Sequence, residues 1–165
     1  MNSRDTILNF LSHQQDIHFG YSEILFVPAA NELKEPQPGY ILIANDETGD
    51  PILVDTSTPA LRVCTTTAPN TSVTQRTAAS AQNANATQAP RTPEPIADSL
   101  ETFTGILTRL RILAAGRENP VQKELNPLSA REARDFLKFV KTTNPNTDPG
   151  YWETLMLLAL ENDTE

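Results

Sequence analysis

Four carboxylates fall within residues 46–55: Asp46, Glu47, Asp50 and Asp55. Side chains of this type can hold a hard cation, act as an acid–base pair, or present negative charge to a cationic partner. The calcium reading fails on pattern, because the run lacks the alternating ligands and the closing Glu of an EF-hand loop. At such a corner Asp46 and Asp50 are expected to accept turn N–H groups, as Asx residues do. The two histidines, His13 and His18, stand five apart with only Asp16 between them and no cysteine nearby, which is not a zinc spacing. No G-x-S-x-G elbow, P-loop or G-x-G-x-x-G is present, and nothing marks a glycosidase-type carboxylate pair. The reading is therefore a non-enzyme with no catalytic residues, no cofactor and no metal, whose charge serves binding.

Charge supports that reading. The net charge is −8, and residues 1–67 carry nine acidic side chains against three basic ones. Such a balance is the opposite of a nucleic-acid footprint and suits a basic protein partner. The sequence has 13 prolines and a mean hydropathy of −0.38, and no apolar run approaches the roughly 20 residues of a membrane span. Met1–Ser12 lacks the basic and apolar regions of a signal peptide. Cys64, the single cysteine, lies in a strand-like run and reads as a small buried hydrophobe. A soluble protein in a reducing cytoplasm is expected.

The elements that must position the carboxylates can be read from periodicity. Tyr40–Ala44 and Ile52–Val54 flank the polar tip Asn45–Asp50, a hairpin in which Gly49 supplies a positive φ and Pro51 starts a strand. Strands are expected at about 22–27, 39–45, 51–56 and 60–66, after a short helix over Arg4–Gln15. In the second strand both faces are apolar, as in a central strand covered on both sides. Ile96, Leu100, Phe103, Leu107, Leu110 and Ala114 form one stripe of a long helix, with Asp98 and Glu101 as its capping box and Gly116 beyond its end. Ser129 and Glu132 cap the next helix, whose inner face is Ala133, Phe136, Leu137 and Val140. Its Arg131, Arg134, Lys138 and Lys141 form a basic strip expected to pair with Glu132 and Asp135. Asp148-Pro149 opens a last helix running to about Leu160, apolar most of the way round. The fold class is α+β: a mixed or antiparallel sheet of four or more strands (22–66) with three C-terminal helices. One domain spans residues 1–165, interrupted by a flexible low-complexity loop at about 68–94.

The order of these pieces resembles the SUKH superfamily. Ile24–Val27, Tyr40–Ala44 and Ile52–Asp55 are similar to its first three strands, and Gly49-Asp50-Pro51 falls at its Gly-Asp corner. Val63 matches the centre of the next strand, Ile96–Phe103 the start of the following helix, and Tyr151-Trp152 an aromatic pair near the end. The likeness covers roughly residues 22–67 and 95–160, with a short N-terminal helix and the polar stretch 68–95 as departures. It implies an immunity-type protein that binds and neutralises a toxin domain, often a nuclease. A dedicated acidic secretion chaperone, holding an extended effector segment, is the rival. The partner is expected to meet Asp46, Glu47 and Asp50 at the hairpin tip, with Tyr151 and Trp152 as the other candidate surface.

One expectation is testable on composition alone. Between Thr71 and Pro90 the only large apolar side chain is Val73, too little to offset an ordering cost of about 1–2 kcal/mol per residue. Replacing residues 70–92 by a short Gly/Ser linker is expected to shift the melting temperature only slightly. Loss of cooperative unfolding in a thermal scan would place the segment in the core.

Overall fold

The computed structural model describes residues 2–29, 32–66 and 92–161, and most of the loop expected at 68–94 lies outside them. Its strands are β1 (Ile17–Phe19), β2 (Ser22–Phe26), β3 (Tyr40–Asp46), β4 (Pro51–Asp55), β5 (Arg62–Thr65) and β6 (Glu94–Ala97). They form one antiparallel sheet in sequence order, β1-β2-β3-β4-β5-β6. The helices are α1 (Ser3–Ser12), α2 (Leu100–Ala114), α3 (Pro120–Leu125), α4 (Ala130–Thr143), α5 (Gly150–Leu155) and α6 (Leu157–Glu161). The protein is α+β, with an antiparallel sheet and five helices after it rather than three.

The sheet curls so that one helix touches both of its edges. α2 lies against β1 at one edge and against β5 and β6 at the other. Its stripe of Leu100, Phe103, Ile106, Leu107, Leu110 and Ala114 is buried there. Phe10 of α1 meets both Phe26 of β2 and Phe103 of α2, with centroids 6.0 and 6.2 Å apart. α4 packs on α2 through Ala133, Phe136, Leu137 and Val140. β3 is central, flanked by β2 and β4, and its register to β4 shifts between Leu42 and Ala44. Period-two alternation sends Ile52 and Val54 into the main core. Leu53 and its cross-strand neighbour Cys64 lie on the opposite face, 1 % and 2 % exposed. Burial there pushes the Cys64 thiol up to about 11, so it behaves as a small apolar group.

Two strands differ from the expectation. β1 forms just after α1, which ends at Ser12 rather than Gln15, and closes on β2 through a two-residue turn at Gly20 and Tyr21. Gly20 has φ +65, and a Cβ there would meet the Lys123 side chain at 2.5 Å. β6 takes Ile96, which the helical stripe assigned to the long helix, together with Ala97. The spacing from Ile96 to Leu100 mimics a helix turn, yet a strand places Ile96 in the same core while pairing with β5. Helix α2 then starts at Leu100, capped by Ser99 and Thr102 rather than Asp98 and Glu101. Asp98 has another role. Its carboxylate accepts from Asn146 N and the Thr147 hydroxyl, while its own N–H donates to Asn144 Oδ1 at 2.7 Å.

Helix α3 was unforeseen, although Asn119-Pro120 followed by Gln122 forms a full capping box. It is held in place by Arg117, whose guanidinium donates to Asn126 O at 2.7 Å and Leu113 O at 2.9 Å. That group also reaches Glu132 at 3.4 Å. Glu132 is therefore turned towards Arg117 and Ser129, and not towards the basic strip of its own helix. These hydrogen bonds and the Arg117 charge hold its carboxyl below the usual range.

The last helix is broken. Asp148 accepts Gly150 N–H at 2.8 Å, Pro149 takes the N-cap position, and the chain turns at Met156 between α5 and α6. Trp152, Met156 and Ala159 are buried, while Leu157 and Leu158 are exposed. Trp152 touches Phe103 of α2 and Phe136 of α4, and its indole N–H donates to Ile96 O of β6 at 2.8 Å. Among the described residues no helix is long and apolar enough to cross a membrane.

Trp152→Phe keeps an aromatic ring and removes that donor, leaving the Ile96 carbonyl buried without its partner. The expected loss is about 1–3 kcal/mol of unfolding free energy. Urea titration followed by circular dichroism measures it, since Trp152 is the only tryptophan and its fluorescence vanishes with it. An unchanged midpoint would show that the indole hydrogen bond adds nothing.

Candidate protein-binding cleft

The β3–β4 hairpin is organised by one carboxylate. Asp46 Oδ1 accepts Thr48 N–H at 2.9 Å, the Thr48 hydroxyl at 2.6 Å and Asp50 N–H at 3.1 Å. Gly49 N–H closes the turn on Asp46 O at 2.9 Å, with Gly49 at φ +82. The second oxygen of Asp46 faces the Tyr151 hydroxyl at 3.5 Å. Asp46 is only 8 % exposed, so it builds the tip and offers little direct contact to a partner, although its charge still adds to the field of the cleft. This corrects its expected place on the contact surface: an Asp whose oxygens are taken up by turn N–H groups has little left to offer outside. Asp55 does the same work at the next corner, accepting from Ser57 N–H and hydroxyl.

Glu47 is exposed and Asp50 half-buried, with the Asp50 carboxylate 3.0 Å from the Thr48 hydroxyl. Tyr151 and Trp152 part company. The Trp152 side chain is 0 % exposed in the core, which removes it from any contact surface. Neighbouring Tyr151 stands on its edge, centroids 4.9 Å apart, and points to the hairpin tip. Burial, together with the charges of Asp46, Glu47 and Asp50, raises the Tyr151 hydroxyl well above its ordinary value. It stays protonated and remains a donor to Asp46.

The tip forms part of a cleft of about 1410 Å³ at one end of the sheet. The β1–β2 hairpin and α5–α6 both line it, as do the buried Ile96 and Leu110. Glu23, Glu94 and Asp148 join Asp46, Glu47 and Asp50 in its lining. Against these six carboxylates stands one ammonium among the described lining residues, Lys123. It lies over the Phe19 ring, 4.0 Å from the centroid, and burial together with nearby Arg117 lowers its pKa. A concave wall of one sign focuses its potential into the cleft. Sequence reasoning found Asp46, Glu47, Asp50 and Tyr151 for this site. It missed Glu23, Glu94 and Asp148, which lie on other elements, and Tyr21 at the tip of a hairpin it did not foresee. Leu157 and Leu158 were signalled by a helix apolar most of the way round.

The remaining candidates are not in the cleft lining, although His18 adjoins it. His18 pairs with Glu23 across the β1–β2 hairpin at 3.4 Å, and His13 Nδ1 sits 2.8 Å from Asn9 O. Among the described residues no three His, Cys, Asp or Glu side chains are grouped as metal ligands. Arg131, Arg134, Lys138 and Lys141 are exposed on α4. Three of them, with Glu153 and Leu160, line a shallow hollow of about 470 Å³. α5–α6 thus contributes to both spaces, Tyr151, Leu157 and Leu158 to the acidic cleft and Glu153 and Leu160 to the hollow beside the basic strip of α4. Comparison of the chain with protein-family models, curated proteins and solved structures finds no match in any of the three.

Nothing lies within 4 Å of a Cβ built on Gly49, so the cost of a side chain there is conformational. Gly49→Val is expected to destabilise by about 1–3 kcal/mol, and Gly49→Asn by less, because Asn tolerates positive φ. Equal melting temperatures for the two variants would show that backbone conformation does not set the cost.

Proposed function

We propose that this chain is a non-catalytic binding module of the immunity type, which neutralises a basic toxin domain, a nuclease being the leading candidate. The observation that carries the reading is the cleft with six carboxylates against one ammonium among its described lining residues. A nuclease needs a positive surface to hold nucleic acid, and an acidic cleft steers association with that surface and covers it. The likeness of the strand, Gly-Asp corner and helix order to the SUKH superfamily points the same way, by analogy. Action in the cytoplasm of the producing cell belongs to this reading.

The rival, an acidic secretion chaperone, draws on the exposed Leu157 and Leu158 beside the same carboxylates. It would hold its partner unfolded, whereas an immunity-type protein binds a folded domain.

The test pairs this protein with the product of its neighbouring reading frame and measures association rates against salt. Glu47→Lys with Glu94→Lys is the informative variant, since both side chains are exposed and line the cleft. Association is expected to slow about tenfold at low salt and to lose most of its salt dependence. The melting temperature is expected to stay almost unchanged. Asp46 is left intact because its reversal would open the turn. Binding that ignores both salt and the double reversal would overturn the electrostatic reading, and a partner held unfolded would favour the chaperone.

A further inference from the structure

Beyond its charge, the cleft has a chemistry that narrows what enters it. Tyr21, Leu157 and Leu158 are 84 %, 50 % and 70 % exposed, and all three line the same concavity. Single exposed apolar residues are ordinary on protein surfaces. Here one belongs to the turn of the β1–β2 hairpin and two to α6, and the same lining holds six carboxylates. At about 1410 Å³ the space exceeds the roughly 300–1,000 Å³ of small-molecule pockets, and suits a length of polypeptide.

We infer that the cleft is a docking groove for a single amphipathic, lysine- or arginine-bearing segment of the basic partner. Its apolar side chains lodge on Tyr21, Leu157 and Leu158, while its cations meet Glu47, Asp50 and Glu94. This rests on the proposed binding of a basic protein and adds the manner of engagement.

Charge selects the sign of the occupant. The one ammonium described in the lining, Lys123, is committed to the Phe19 ring, so an acidic segment would meet repulsion with little to offset it. Backbone chemistry selects how the segment is held. β6 is the sheet edge beside the cleft, and strand addition there would need its free N–H and C=O groups. Pro95 has no N–H, the Ile96 carbonyl accepts from Trp152, and Asp98 N–H donates to Asn144. The β6 edge is thus largely closed to strand addition, and there the segment is gripped through its side chains, by apolar contact flanked by ion pairs.

The test titrates isotope-labelled protein with three synthetic peptides of about ten residues, built from lysine and leucine, glutamate and leucine, or lysine and serine. The lysine–leucine peptide is expected to shift the amide signals of Tyr21, residues 47–50, Leu157 and Leu158. The other two are expected to bind at least about tenfold more weakly, as is the lysine–leucine peptide to a Leu157→Ser/Leu158→Ser variant. Both leucines are exposed, so that variant should melt as the parent does. Equal response to the glutamate peptide, or shifts centred on α4, or no shift at all, would overturn the groove. The product of the neighbouring reading frame separates this inference from the functional reading. If it binds the double serine variant as tightly as the parent, the groove fails and the immunity reading stands. If it does not bind the parent while the lysine–leucine peptide still fills the cleft, the groove stands and the immunity reading fails.

Discussion

The hydrogen bond from the Trp152 indole to the Ile96 carbonyl joins the two halves of this protein. On one side is β6, the last strand of the sheet. On the other is α5, which the same ring packs against Phe103 of α2 and Phe136 of α4. A sheet edge with open carbonyls invites pairing with another chain. Here the carbonyl is taken by a buried side chain, and Pro95 removes an N–H from the same strand. Seating Trp152 also sets the direction of its neighbour. With the indole in the core, Tyr151 faces the hairpin tip and meets Asp46, so core packing and cleft geometry share one short segment.

The cleft follows from curvature. A sheet wrapped on α2 brings the β1–β2 hairpin and the start of β6 into one concavity, though β1 and β6 are its opposite edges. Six carboxylates from β2, β3, the β3–β4 tip, β6 and the α4–α5 turn then line a single space. Concentrating like charge costs stability through self-repulsion, which is tolerable where the groups remain in contact with water. Glu47, Glu94 and Asp148 are exposed, and the least exposed of the six, Asp46, is compensated by N–H and O–H donors on both oxygens. On α4, Arg134, Lys138 and Lys141 line a separate hollow with Glu153, while Glu132 of the same helix pairs with Arg117.

Legibility in the sequence tracked the range of the interactions involved. The β3–β4 hairpin, the stripes of α2 and α4, and the Ser129–Glu132 cap depend on residues a few positions apart, and each is readable from spacing. The misreadings arose where a partner distant in the chain decided the outcome. Ile96 fits a helical stripe and a strand equally well, and the exposed edge of β5 decides for the strand. β1 is three residues long, too short for any period, and exists because it pairs with β2 and packs on α2. Glu132 has four cations on its own helix, yet Arg117, anchored at the end of α2, takes it.

The sequence by itself determined the α+β class, the acidic balance, the turn chemistry at Asp46 and Gly49, and the inner faces of the two long helices. These depend on local geometry and composition, which neighbouring residues carry within themselves. Only the tertiary structure decided that Trp152 is core while Tyr151 faces the cleft, that Asp46 is a builder of the tip and Glu47 its exposed charge, and that Glu23, Glu94 and Asp148 join them. Burial and convergence belong to pairs of residues far apart in the chain. They are settled when the sheet closes around α2, and no periodicity in one segment records where another segment will lie.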